Sequence, residues 1–182
     1  MKSVILIGTD HKYQLPTPEG RTSKFEGFED LIRNICSTHN IRAIAEEMSV
    51  EALEEDGLEE SVASKICNEL GYKHQYSDPT NKKRFELGIR QDADIRAEHI
   101  IDGSTETEIE ADVAVRGRAA SDKIREQYWW TQISELDTWP LLFICGADHF
   151  ESFASLIRCN DMEVFEAAGD WEPVDAEESK CT

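Results

Sequence analysis

The chain is poor in the features that would place it outside an ordinary soluble fold. It has five cysteines, an odd number with no Cys-x-x-Cys pair, which argues against a zinc ribbon or a disulfide framework and for reduced thiols in a cytoplasmic protein. Cys36, Cys67 and Cys145 sit among apolar residues, as inert core filling would. No apolar run approaches the roughly 20 residues of a membrane span. The first residues, MKSVILIGTD, lead into Gly-Thr-Asp-His where a small-residue cleavage site would be needed, so they read as a core strand and not a signal peptide. Positive charge is scarce: 19 basic residues face 38 acidic ones, for a net charge of -19, which disfavours duplex nucleic acid or an anionic membrane as a partner.

What is present fits one domain. The 182 residues, 40% hydrophobic with a mean hydropathy of -0.52, are enough to bury roughly two-thirds of the unfolded surface around a single core. The acidity is segregated. Residues 46–60, 92–112 and 161–182 together carry -22, which leaves +3 for the remainder. That remainder holds Lys12, Lys82, Lys83, Arg84, Arg116, Arg118 and Arg125, so a ligand crevice there is expected to be less negative than the outer surface.

Hydrophobic periodicity predicts strands at SVILIG, IRAIA, YKHQY, LLFIC and MEVFEA, the third less apolar and nearer an edge. Between them lie helical patterns. The first follows a Ser23 N-cap and carries Phe25, Phe28, Leu31, Ile32, Ile35 and Cys36; another opens at Ser49; another carries Val62, Ala63, Ile66, Cys67 and Leu70 and stops at Gly71. A long one covers about 111–136, and the last contains Phe150, Phe153, Leu156 and Ile157. Residues 88–112 read as a weakly packed connection with one short helix, and the domain as residues 1–168 followed by an acidic, partly disordered tail at 169–182. Strands alternating with helices predict an α/β fold, a mostly parallel sheet of about five strands with helices on both faces.

One local grammar occurs twice: an apolar strand, Gly, two residues, His. Gly8-Thr9-Asp10-His11 and Gly146-Ala147-Asp148-His149 both follow it. Parallel α/β sheets hold their ligands outside the carboxyl ends of the strands. His11, Glu46, Glu47, Asp78 and His149 all fall just past predicted strands and so share that rim. Two imidazoles with carboxylates are a common ligand set for a divalent metal. Adjacent residues leave a strand on opposite sides, so only one of Glu46 and Glu47 is expected in the crevice, and Glu46 is the one chosen as ligand with His11 and His149. A metal there (manganese, cobalt or zinc) would bring the pKa of a bound water toward neutrality. Glu47 or Asp78 would take the proton, Arg125 would hold an anionic group or stabilise developing charge, and Lys12 and Arg84 would contact substrate. Turn chemistry is the plain alternative for Asp78-Pro79. For IREQYWW it is an amphipathic helix whose Trp anchors the core while Arg125 and Glu126 pair at its edge. Asp10 and Asp148 could orient the imidazoles that follow them.

With a first strand ending IGTDH, a second ending in Glu, an arginine-bearing helix and a late FICGADH, the chain resembles the TraB/TIKI-type proteins of the erythromycin-esterase and ChaN-like superfamily. The order of motifs matches over most of residues 4–157; the chain is smaller than typical members and lacks their membrane segments. The resemblance implies that His11 and His149 correspond to the family's two histidines, Glu46 or Glu47 to its early glutamate and Arg125 to an arginine in the helix before the second motif. Members include a metal-dependent peptidase, macrolide esterases and a haem-binding protein. The expectation is therefore a metal-dependent hydrolase acting on a small-molecule or peptide substrate. A metal-free variant with one His as general base is the near alternative, and the rival from another class is a non-catalytic module holding a nucleotide, haem or anionic ligand at the same rim.

Overall fold

The computed structural model describes residues 2–16 and 26–173. The expected Ser23 cap and Phe25 lie outside them, as does the chain after 173. Five strands, β1 (Ser3–Thr9), β2 (Ala43–Glu46), β3 (Lys73–Tyr76), β4 (Leu141–Gly146) and β5 (Glu163–Trp171), form one all-parallel sheet in the order β3-β2-β4-β1-β5. The weakly apolar β3 is indeed an edge. The buried strands β1, β2 and β4 alternate their side chains between two helical layers, which is why they read as continuous apolar runs. Ile5, Ile7, Ile44, Leu142 and Ile144 pack with α1 (Glu26–His39) and α3 (Val62–Leu70). On the opposite face, Val4, Leu6, Ala45, Phe143 and Cys145 pack with α7 (Ser121–Leu136) and α8 (Phe150–Cys159).

Local chemistry sets several boundaries. The hydroxyl of Ser49 accepts from the Ala52 N–H and opens α2 (Val50–Glu55), and Ser61 caps α3 in the same way through the Ser64 N–H. Gly71 ends α3 in the left-handed conformation that a side chain would resist.

Two expectations need correction. Residues 88–112 are not a loose connection. Following α4 (Asn81–Leu87), they supply α5 (Asp92–Asp102) and α6 (Glu106–Asp112), which run through a π-helical stretch at Val113–Ala120 into α7. Ile95, Ile109 and Val113 make a small apolar cluster of their own there, too sparse to show as a stripe in so acidic a sequence. The domain also does not end at 168. β5 continues to Trp171, whose ring lies 5.0 Å from Phe28 and 5.3 Å edge-on from Tyr13, and whose carbonyl accepts from Thr9 Oγ1 at 2.9 Å. Glu163, Glu166 and Asp170 are interspersed among the apolar and small residues of this edge strand, so its charge had masked its packing.

The two Gly-x-x-His units leave neighbouring central strands. Gly8 stands beside Cys145 and Thr9 beside Gly146 in the β1–β4 ladder. From that pair the chain departs in opposite directions, toward β2 after β1 and toward β5 after β4, which opens a crevice at their carboxyl ends. No helix among the described residues is long and apolar enough to cross a membrane.

Candidate functional site

Each histidine sits in a single 3-10 turn directly after its strand, His11–Tyr13 and Ala147–His149. Both imidazoles address one carboxylate: the Nε2 atoms of His11 and of His149 each lie 3.6 Å from Glu47 Oε1. The glycines serve this convergence by leaving space. Gly146 has ordinary backbone angles, but a Cβ there would fall 2.9 Å from His11 Nε2 and 3.4 Å from Glu47 Oε2. Gly8 instead yields to β5, since its Cβ would lie 2.1 Å from the Gly169 carbonyl oxygen.

Strand parity decides between the two glutamates. Glu46 shares the face of Ile44, so its carboxylate turns under α3. There it is fully buried, and its Oε1 takes the Ser61 hydroxyl and His74 Nε2, the latter at 2.8 Å. Glu46 is therefore not a ligand in the crevice, which corrects the choice made from sequence. Glu47 is the residue that faces it. Its N–H continues the ladder onto the Ile144 carbonyl at 2.8 Å, its Oε2 accepts from the Gly146 N–H at 2.8 Å, and its Oε1 accepts from Arg125 Nη2 at 2.6 Å.

Arg125, from α7, is the cation at the centre. Its Nε and Nη2 donate to Asp78 Oδ1 at 3.1 and 2.9 Å, and its guanidinium lies over the Trp129 ring, 5.2 Å from the centroid. Burial works against its charge, but Glu47 and Asp78 more than offset this and hold its pKa above the ordinary value. Asp78 also accepts from Trp129 Nε1 at 3.0 Å and from Arg84 through Oδ2. With its oxygens so occupied, Asp78 anchors two guanidinium groups and is not a free base, a correction of the proton-accepting role expected for it. Lys12 is likewise corrected: its ammonium is drawn to Asp10 at 2.6 Å and it does not line the crevice, whereas Arg84 does.

Sequence reasoning left Glu126 as the edge partner of Arg125. The two do not pair. Glu126 is buried and its Oε1 accepts from His149 Nδ1 at 3.0 Å and from Ser152 Oγ at 2.5 Å. Asp122, Arg125, Glu126 and Trp129 recur at helical spacing on the buried side of α7, and charged residues in positions a helix would give to its core were the available signal. The His149 ring packs edge-on against Trp129, centroids 4.9 Å apart. Burial lowers the His149 pKa, but the Glu126 hydrogen bond and the charges of Glu47 and Asp122 outweigh it, so the net shift is upward from 6.5.

Much of the donor set expected for a divalent metal is committed to other partners. Both oxygens of Glu47 are already hydrogen-bonded, one of them to a guanidinium that supplies the positive charge a metal would bring. Among the described residues no group of three or more His, Cys, Asp or Glu side chains is arranged so that it could hold a metal ion. The described cysteines offer no nucleophile at this rim. Burial pushes Cys36 up to about 11, Cys67 up to about 12 and Cys145 well above the ordinary thiol value.

The crevice has a volume of about 480 Å³. Arg125, Arg84, Glu47 and the two histidines line it together with Asp10, Asp148, Asp170 and Glu172. It is thus more acidic than charge segregation predicted, because the 3-10 turns and the end of β5 bring their own carboxylates to it. No protein-family model, curated protein or solved structure matches the chain.

Proposed function

We propose that the protein is a hydrolase of ester or amide bonds in which His149 is the general base, acting with no metal. The observation that carries this is the Glu126–His149 dyad. A carboxylate can only accept, so it fixes the hydrogen on Nδ1 and leaves the Nε2 lone pair at the crevice, where it accepts a long hydrogen bond from Arg125 Nη1 at 3.4 Å that a water must replace before its proton can pass to Nε2. A carboxylate behind an imidazole holds the ring in place and stabilises the imidazolium formed when a water is deprotonated. The Glu126 hydrogen bond and the charges of Glu47 and Asp122 raise the His149 pKa, which makes its Nε2 a stronger base. Arg125, fixed by Glu47 and Asp78, is a preorganised positive charge beside the reacting position.

Hydrolysis by protein purified without a His tag, on panels of ester, peptide and phosphoester substrates, tests this reading. Turnover of an ester or amide by the parent and its loss in His149→Ala supports it. Ligand binding with no turnover on any panel overturns it in favour of a binding module at the same crevice.

A further inference from the structure

The two imidazoles converge on one carboxylate, but the groups behind them are chemical opposites. Behind His149 is Glu126, which only accepts, so in the neutral ring Nδ1 carries the hydrogen. Behind His11 is Gln14, whose Nε2 lies 3.1 Å from His11 Nδ1. An amide nitrogen only donates, so Nδ1 of His11 accepts and the hydrogen of the neutral ring sits on Nε2. The orientation of the amide follows from what surrounds it. Gln14 is fully buried and among the described residues its Oε1 has no partner; the orientation seen leaves that acceptor and one N–H unmet, whereas turning the amide round would leave both N–H groups unmet, and orphaned donors are the rarer case.

We propose that the two histidines are held in opposite tautomers and so divide the chemistry, His149 accepting a proton at Nε2 and His11 donating a hydrogen bond from Nε2 to the substrate, with Gln14 as the positioning residue of His11. The roles rest on the hydrolase reading; the tautomers stand without it. The His11 ring is half exposed, and its nearest carboxylate oxygen, Glu47 Oε1 at 3.6 Å, is beyond hydrogen-bond reach, so the Nε2–H is available to an oxygen in the crevice. In the hydrolytic step a water oxygen bonds to the carbonyl carbon while its proton passes to His149 Nε2. The carbonyl oxygen, now bearing the negative charge, accepts from His11 Nε2–H. The bond to the leaving group then breaks, and the proton held by His149 goes to the departing oxygen or nitrogen.

Long-range proton–nitrogen NMR on protein labelled with nitrogen-15 histidine reads the tautomers directly, with His11→Gln and His149→Gln used for assignment. The spectra are taken at a pH above which the ring shifts no longer change. The expected result is hydrogen on Nδ1 in His149 and on Nε2 in His11. The same tautomer in both rings overturns the proposal. Gln14→Glu replaces the donor behind His11 by an acceptor and should move the His11 hydrogen to Nδ1 while His149 keeps its own; His11 remaining Nε2–H shows that Gln14 does not set it. If that variant fails to fold, Gln14→Leu should move the His11 Nδ1 resonance to the position of a lone pair that accepts no hydrogen bond, and an unchanged resonance again overturns the assignment. Opposite tautomers in a protein that hydrolyses nothing would sink the function and leave this inference standing, whereas turnover with matched tautomers would do the reverse.

Discussion

Gly8 and Gly146 hold the same place in the two Gly-x-x-His units, yet alanine at each should have a different effect. In Gly8→Ala the new methyl meets backbone: the Gly169 carbonyl oxygen would be 2.1 Å away, and Phe150 also crowds it at 3.1 Å. Relief requires β5 to part from β1 just where Thr9 Oγ1 donates to Trp171 and where Trp171 packs on Tyr13 and Phe28. Overpacking of about 1–3 kcal/mol, added to about 0.5–1.5 kcal/mol for each disturbed aromatic pair, gives a loss of about 3 kcal/mol. For a chain of this length that corresponds to a fall in Tm of roughly 6–12 °C. In Gly146→Ala the backbone already suits any residue, and the obstacle, 2.9 Å away, is the tip of the half-exposed His11 ring. The ring can swing aside, and the unfolded chain loses about 0.4–1 kcal/mol of conformational freedom in compensation. Stability should therefore stay within about 1 kcal/mol of the parent, while the His11 imidazole resonances move. Thermal and urea unfolding with histidine NMR on both variants makes the comparison. A Gly8→Ala protein as stable as the parent, or a Gly146→Ala protein equally destabilised, would refute the assignment of the two glycines.

Other perturbations follow from the same contacts. Asp78→Ala strips Arg125 and Arg84 of a shared anchor and leaves a buried guanidinium undercompensated; urea unfolding should show a loss of about 3–5 kcal/mol, and a loss below about 1 kcal/mol would mean that the network carries little. Glu126→Gln removes the hydrogen-bonding carboxylate that raises the His149 pKa, so that pKa should fall on NMR titration. Because the folded value is raised, the stabilisation from this pair is complete below pH 6.5 and is lost as pH rises through the folded pKa. The stability gap between parent and Glu126→Gln should accordingly narrow over that range, and a gap that widens would contradict the pairing. Of the four thiols described, only Cys159 is exposed and should react with a thiol reagent in the native state; rapid labelling of Cys36, Cys67 or Cys145 would show that the core opens.

The sheet was legible because buried parallel strands are apolar on both faces, and the two Gly-x-x-His units marked the strand ends that carry the site. Strand parity was legible in principle as well. Counting alternately from Ile44 and Ala45 assigns Glu46 to the α3 face and Glu47 to the α7 face, once it is known which helices cover which face, and that is information from the fold. Gln14 and Glu126 gave weaker signals, since a glutamine after a turn and a glutamate on a charged helix are unremarkable until an imidazole stands in front of each. Charge also misled. The acidic stretches looked like solvated surface, yet 92–112 contains the buried Ile95 and Ile109, and the end of β5 contains Trp171 and brings Asp170 to the crevice.

The central claim is that His149, tuned by Glu126 and working without a metal, takes the proton from water. Once a hydrolysed substrate is in hand, the pH dependence of kcat/KM in the presence of a strong chelator, for the parent and for Glu126→Gln, tests it most directly. The account predicts activity unaffected by chelation, an acidic limb in the parent above pH 6.5, and displacement of that limb to lower pH in Glu126→Gln. Activity abolished by the chelator and restored by a divalent metal, or an acidic limb unmoved by loss of the Glu126 charge, would contradict it.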